Sequence, residues 1–245
     1  MTISFLGKSG VGDPTIALLS GLESVLSVNI NNTGATDRSV ETLCSLRGLQ
    51  VLKLGGTRIT NVGMKSIGKI STLKNLTLPA GIDEQGLVEV AKLDNLVHLN
   101  AKGVKLGERG MALIASMEKL RTLDLSASDL TNKDLIHLRS LAELAFLNIS
   151  NTRIGDDSVQ YLRKLKQLAQ LICRETDLTP GGQRAVQSYL PQTELSFQTP
   201  PNRRQYLRKL RKQMKAARKS RVDSEQAEKK QNQKKKLDKS PKAKT

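Results

Sequence analysis

Aromatic side chains are scarce: they make up 2% of the 245 residues, with no Trp, three Phe and three Tyr. Base-specific nucleic-acid recognition leans on stacking, so that activity is not expected. Histidine is as sparse, with only His98 and His137. Neither has a second His, Cys or carboxylate group at ligand spacing, and no Ser/His/Asp arrangement can be assembled, so neither a metal site nor a hydrolytic triad is expected. Two cysteines, Cys44 and Cys173, provide no disulfide framework, which favours a reducing, intracellular compartment. No apolar run approaches the ~20 residues of a membrane-spanning helix. The opening MTISFLGKSG lacks the basic start and long apolar run of a secretory signal. Gly7-Lys8-Ser9 matches the end of a phosphate-binding loop, but the loop's first glycine has no room so near the start. No cofactor and no enzymatic activity are expected.

What the chain has is a period. Val25, Leu49, Leu73, Leu96, Leu120, Leu144 and Leu168 recur every 24 residues, with one step of 23. Periods of this size mark stacked-repeat architectures. The unit Leu49–Thr72 opens L-x-x-L-x-L, and Leu52 and Leu54 alternate around Lys53 as in a half-buried strand. Met64, Ile67 and Ile70 then share one helical face, behind Thr60 as N-cap. Equivalent strand pairs are Val28/Ile30, Leu76/Leu78, Leu99/Ala101, Leu123/Leu125, Leu147/Ile149 and Leu171/Cys173. Cap positions read Thr36, Thr60, Thr131 and Thr179, with Gly107 and Gly155 as substitutes. Thr33, Thr57, Ser128, Thr152 and Thr176 place a hydroxyl after each of five strands, where it can satisfy the turn backbone.

The stretch Thr57–Met64, T-R-I-T-N-V-G-M, resembles the T-x-[IL]-T-D-x-G-L signature of bacterial leucine-rich repeat proteins. It is also similar to the GALA and cysteine-containing subclass found beside F-boxes in ubiquitin-ligase adaptors, although Thr or Ser fills the cysteine slot here. The resemblance covers roughly residues 1–197. It implies an α/β, right-handed leucine-rich repeat solenoid of seven to eight units, with a parallel concave sheet and convex helices. Extracellular members of that family usually carry disulfide-rich caps, which this chain lacks. No F-box-like helical segment precedes the repeats in this sequence, so substrate recognition for a ubiquitin ligase is only a distant alternative.

At the start, Val11, Ile16, Leu19 and Leu22 fall in frame, but Ser4 takes the first buried strand slot. Such degeneracy suits an end repeat. Ile3 and Phe5 cap this end, or a partner or preceding segment does. At the far end, Val186, Tyr189 and Leu190 finish a helix, and Leu195 and Phe197 form a short closing strand. Thr199-Pro200-Pro201 continues neither element, which divides the chain into a repeat domain, 1–198, and a tail, 199–245.

Charge follows the same division. The net charge of +17 resolves into +3 for residues 1–201 and +14 for residues 202–245. Tyr206, Leu207, Leu210, Met214 and Ala217 recur at helical steps, predicting a basic amphipathic helix over about 203–221. From about 222 onward the chain is too polar to bury a core and is expected to be disordered. Candidate polyanion-binding residues are Arg203, Arg204, Arg208, Lys209, Arg211, Lys212, Lys215, Arg218, Lys219, Arg221, Lys234, Lys235 and Lys236. They could neutralise RNA phosphates, an acidic protein or an anionic membrane surface, or act as a nuclear import signal if the source is eukaryotic. A merely solubilising tail has the same composition.

The outward strand positions are the second candidate surface. Asn29, Lys53, Asn75, His98, Asn100, Asp124, Phe146, Asn148 and Gln170 are expected to line the concave face and to contact a protein partner. Phe146, exposed among polar neighbours, is either an interface anchor or simply a tolerated surface residue. The expectation is a non-catalytic scaffold that binds a protein on its strand face and is tethered by its tail. An RNA- or ribonucleoprotein-associated factor acting mainly through the tail is the alternative.

Overall fold

A computed structural model describes residues 1–8 and 10–197, all within the compact unit Met1–Gln198. The expectations for the tail, from its helix to its basic residues, lie outside the described residues.

Nine parallel strands form one sheet in chain order. They are β1 (Thr2–Ser4), β2 (Ser27–Asn29), β3 (Val51–Lys53), β4 (Asn75–Thr77), β5 (His98–Asn100), β6 (Thr122–Asp124), β7 (Phe146–Asn148), β8 (Gln170–Cys173) and β9 (Glu194–Phe197). Short helices connect them: α1 (Asp13–Ala17), α2 (Val40–Ser45), α3 (Asn61–Ile67), α4 (Glu84–Val90), α5 (Gly107–Ala115), α6 (Val159–Leu162) and α7 (Pro180–Tyr189). Between β6 and β7 the connection is a 3-10 helix, Lys133–Ser140. Its apolar residues Leu135 and Leu138 stand three apart, the period of that tighter helix.

The middle residues of the strands form one row: Ile3, Val28, Leu52, Leu76, Leu99, Leu123, Leu147, Leu171 and Leu195 are in register from β1 to β9. From Val28 to Leu171 every member is at most 1% exposed. This row and the apolar helix positions make one continuous core between sheet and helices. Each fully buried leucine contributes about 1.5–3 kcal/mol of apolar transfer free energy, so neighbouring coils stabilise one another.

The first coil corrects its expected frame. Ile3, not Ser4, pairs with Val28, so the strand begins one residue earlier and Ser4 is exposed. Ile3 and Phe5 pack half-buried against the core end. Leu22 does not join the core; it stays 38% exposed in this first coil, which has no coil stacked on its outer side among the described residues.

The turns out of the strands behave as expected where the hydroxyl is present. Thr33 donates to Ile30 O, Thr57 to Leu54 O, Ser128 to Leu125 O, Thr152 to Ile149 O and Thr176 to Cys173 O. Helix capping departs from expectation in two coils. Thr36, Thr60 and Thr179 accept first-turn amides, and Asp83 does the same for α4. Thr131 instead donates from both its amide and its hydroxyl to Asp134, while Asn132 takes the cap position without a capping bond. Gly107 is the first residue of α5 instead of its cap.

A ladder of carboxylates and amides links successive coils beside these caps. Asp13 accepts from the Thr36 amide and hydroxyl, Asp37 from those of Thr60, and Asp156 from those of Thr179. Asn61 meets Asp83, and Asn132 accepts from the Gly155 amide. Asp156 is therefore an inter-coil bracket beyond its favourable place at a helix start. The ladder also accounts for the signature glycine: a Cβ on Gly63 would lie 2.5 Å from Asp37 Oδ1. At the same slot Ser39 donates its hydroxyl to Asp13. Burial alone would raise the Asp13 carboxyl, but hydrogen bonds from Ser39 and Thr36, with Arg38 nearby, outweigh it and hold the group below its ordinary value.

Candidate protein-interaction face

Two columns flank the buried row on the sheet face away from the helices. The first runs Thr2, Ser27, Val51, Asn75, His98, Thr122, Phe146, Gln170 and Glu194. The second runs Ser4, Asn29, Lys53, Thr77, Asn100, Asp124, Asn148, Ile172 and Ser196. With strands ~4.8 Å apart, nine of them extend the face over roughly 38 Å. The two columns bring together all nine predicted residues, Asn29, Lys53, Asn75, His98, Asn100, Asp124, Phe146, Asn148 and Gln170. Of these only His98 is exposed; the others are half-buried between neighbours of the same column. Phe146, expected to be exposed, is half-buried as well, because side chains on adjacent strands cover its flanks.

Four of the nine have a structural duty that sequence reading missed. Asn29, Asn100, Asp124 and Asn148 each use Oδ1 to accept the amide two residues on, from Asn31 (3.1 Å), Lys102 (3.0 Å), Ser126 (2.9 Å) and Ser150 (3.1 Å). These bonds close the turn as each strand ends. Where the column holds another residue type, the same amide finds another acceptor. After Lys53, Gly55 N donates to Asn31 Oδ1 at 2.7 Å; after Ile172, Arg174 N donates to Ser150 Oγ at 3.2 Å. After Thr77 the position is Pro79, which has no N–H to satisfy. The signal for this pattern was in the sequence as Asn or Asp two residues before each turn. Because their carboxyl or carboxamide acceptors are engaged, the three asparagines offer outward mainly their Nδ2 donors.

His137 lies half-buried on the 3-10 helix, on the other side of the core from His98. Among the described residues no group of three or more His, Cys, Asp or Glu side chains could hold a metal ion. No helix among them is long and apolar enough to cross a membrane. Both cysteines are free; burial pushes the Cys173 thiol up to about 12, and it raises that of half-buried Cys44 against the pull of Lys69.

A family model described as a leucine-rich repeat region matches residues 19–218. Among solved structures, the chain is similar to internalin C2 of Listeria monocytogenes, with 19% identity over 80% of each chain and a TM-score of 0.63. That likeness shows the fold. An internalin (inlF) of the same organism has 17% identity over 76% of this chain and 64% of its own, with a TM-score of 0.45. A leucine-rich repeat protein of Leptospira interrogans has 18% identity over 75% of this chain and 57% of its own, with a TM-score of 0.46. No curated protein matches the chain. A match spanning most of the chain, on nine registered parallel strands backed by short helices, makes this protein a member of the leucine-rich repeat family.

Proposed function

We propose that this protein is a non-catalytic scaffold that holds a protein partner on the strand face. Leucine-rich repeat arrays commonly serve as interaction scaffolds, since stacked units build extended surfaces. The observation that carries the proposal is the pair of registered columns: nine strands hold outward side chains at fixed spacing on a packed core. Such pre-organisation lowers the ordering cost of association. The turn-closing bonds narrow the contact set. Lys53, Asn75, His98, Phe146 and Gln170 are free of those bonds and are the preferred contacts, with Phe146 as the apolar anchor. Within the family, the Thr–Asp ladder and the glycine beside it support the T-x-I-T-D-x-G-L type.

Residues 202–245, at +14, tether the scaffold to a polyanion such as RNA in this proposal. Free Cys44 and Cys173 support an intracellular, reducing setting.

Affinity capture with the wild type, Phe146→Ala, Lys53→Glu and Gln170→Glu tests the face; the same partners retained by all four proteins would remove it from consideration. Capture with and without nuclease, and with residues 202–245 deleted, tests the tether. Salt-insensitive binding that survives the deletion would refute it.

A further inference from the structure

The repeat that starts at Leu73 is the one of 23 residues, and the structure locates its missing residue. Leu54 and Leu78 hold the same strand-end position, 24 residues apart, whereas the next buried positions, Ile59 and Ile82, are 23 apart. The deletion is therefore in the turn out of β4. Four residues lie between Leu54 and Ile59, and four between Ala101 and Leu106, but only Pro79, Ala80 and Gly81 lie between Leu78 and Ile82.

In the longer turns the second residue takes a left-handed conformation: Asn32, Gly56, Gly103, Ala127, Asn151 and Glu175 have φ between 53° and 72°. That conformation aims the residue's amide at the next coil. Asn32 N donates to Gly55 O, Gly103 N to Ser126 O, Ala127 N to Ser150 O and Asn151 N to Arg174 O. The three-residue turn interrupts this ladder. Ala80 is not left-handed, and Pro79 O, the position that would receive Gly56 N, accepts from Ile82 N instead. Gly56 N–H and Ala80 N–H have no acceptor among the described residues, and both residues are exposed.

A groove of about 460 Å³ opens at this break. Gly56, Ala80, Asn31, Asn32, Asn100 and Lys102 are among its lining residues, and no carboxylate lines it. The Oδ1 atoms of Asn31 and Asn100 are occupied by Gly55 N and Lys102 N, which leaves their Nδ2 groups as donors. Apart from the Asn32 carboxamide oxygen, which lies close beside Gly56, the residues lining the groove carry two free backbone amides, two carboxamide donors and one ammonium. Such a set matches oxygen acceptors carrying negative charge.

We propose that the groove at Pro79–Ala80 is a carboxylate-binding subsite that takes an acidic, extended peptide segment of the partner. This rests on the strand-face scaffold function and adds the chemistry of what docks there. Gly56 N–H and Ala80 N–H hold a carboxylate or main-chain carbonyl oxygen, Lys102 supplies charge, and the asparagines fix the segment's direction.

Amide-resolved NMR of the full chain tests this, because it separates the groove from the basic tail. The chain is titrated with hepta-glutamate past saturation of any tail shifts, and in parallel with hepta-glutamine and inorganic phosphate. The Gly56 and Ala80 amides should move downfield and saturate with hepta-glutamate alone. Lys102→Glu should weaken that response roughly tenfold, as for loss of a close charge partner. Inserting one Asn between Pro79 and Ala80 restores the longer turn and should abolish the response; if that variant does not fold, Lys102→Glu decides. Shifts confined to residues 199–245, equal shifts with hepta-glutamine, or equal saturation by phosphate would overturn the proposal. The titration contains no partner, so its failure is distinct from loss of Phe146-dependent capture.

Discussion

Leu123→Ala tests the continuous interior most directly. Leu123 is fully buried at the centre of the row, between Leu99 and Leu147 in register. The substitution removes three carbons, about 2.4 kcal/mol at ~0.8 kcal/mol per buried methylene. The cavity left behind adds to this, because Leu99 and Leu147 are held by their own coils and cannot collapse inward; a total loss of about 3–4 kcal/mol follows. For a unit of this size that lowers Tm by roughly 6–16 °C. Urea unfolding followed by circular dichroism measures it, with hydrogen exchange expected to show β5 and β7 opening first. Leu195→Ala, on the half-buried terminal strand, should cost less than half as much. A loss at Leu123 below about 1 kcal/mol, or one equal to that at Leu195, would refute a shared interior.

Asp37→Ala removes two bonds to Thr60 at 2.8 and 2.7 Å, both at exposed groups, and should cost about 1 kcal/mol, read as faster exchange in α3. Ser39→Ala, which loses the bond to Asp13, should destabilise by about 1 kcal/mol in urea melts, whereas Ser158→Ala should be neutral or slightly stabilising, since its buried hydroxyl has no partner. The folded Asp13 carboxyl lies below its ordinary value, so its contribution is present above the unfolded pKa and disappears as pH falls through the folded one. The stability gap between wild type and Asp13→Asn should therefore close on acidification, and a gap that widened would contradict the hydrogen-bond assignment. A thiol reagent at pH 8 should leave Cys173 untouched in the native chain and modify it promptly in denaturant, as its burial and thiol pKa of about 12 require.

The 24-residue recurrence and the period-two and period-three spacing of Leu52, Leu54, Met64, Ile67 and Ile70 determine coil, core and helix-free face without any coordinates. Any chain of L-residues that must bury those positions together has to stack them. The outward columns follow from the same alternation, which is why all nine candidate residues fall on one face. Alternation alone does not show which of those residues the backbone already uses, although Asn or Asp at the strand end is the local signal for it. Asn29, Asn100, Asp124 and Asn148 turn their acceptors inward to close their own turns, while His98 and Phe146 remain outward. The partners across coils were equally hidden, since Asp13 meets Thr36 and Asp156 meets Thr179 only when neighbouring helices come into register. The short repeat was visible as one step of 23 residues. Only the stacked structure showed what the deletion at Pro79–Ala80 does, because an amide is left free there by the position of the next coil's carbonyl, a distance that no spacing within one coil contains.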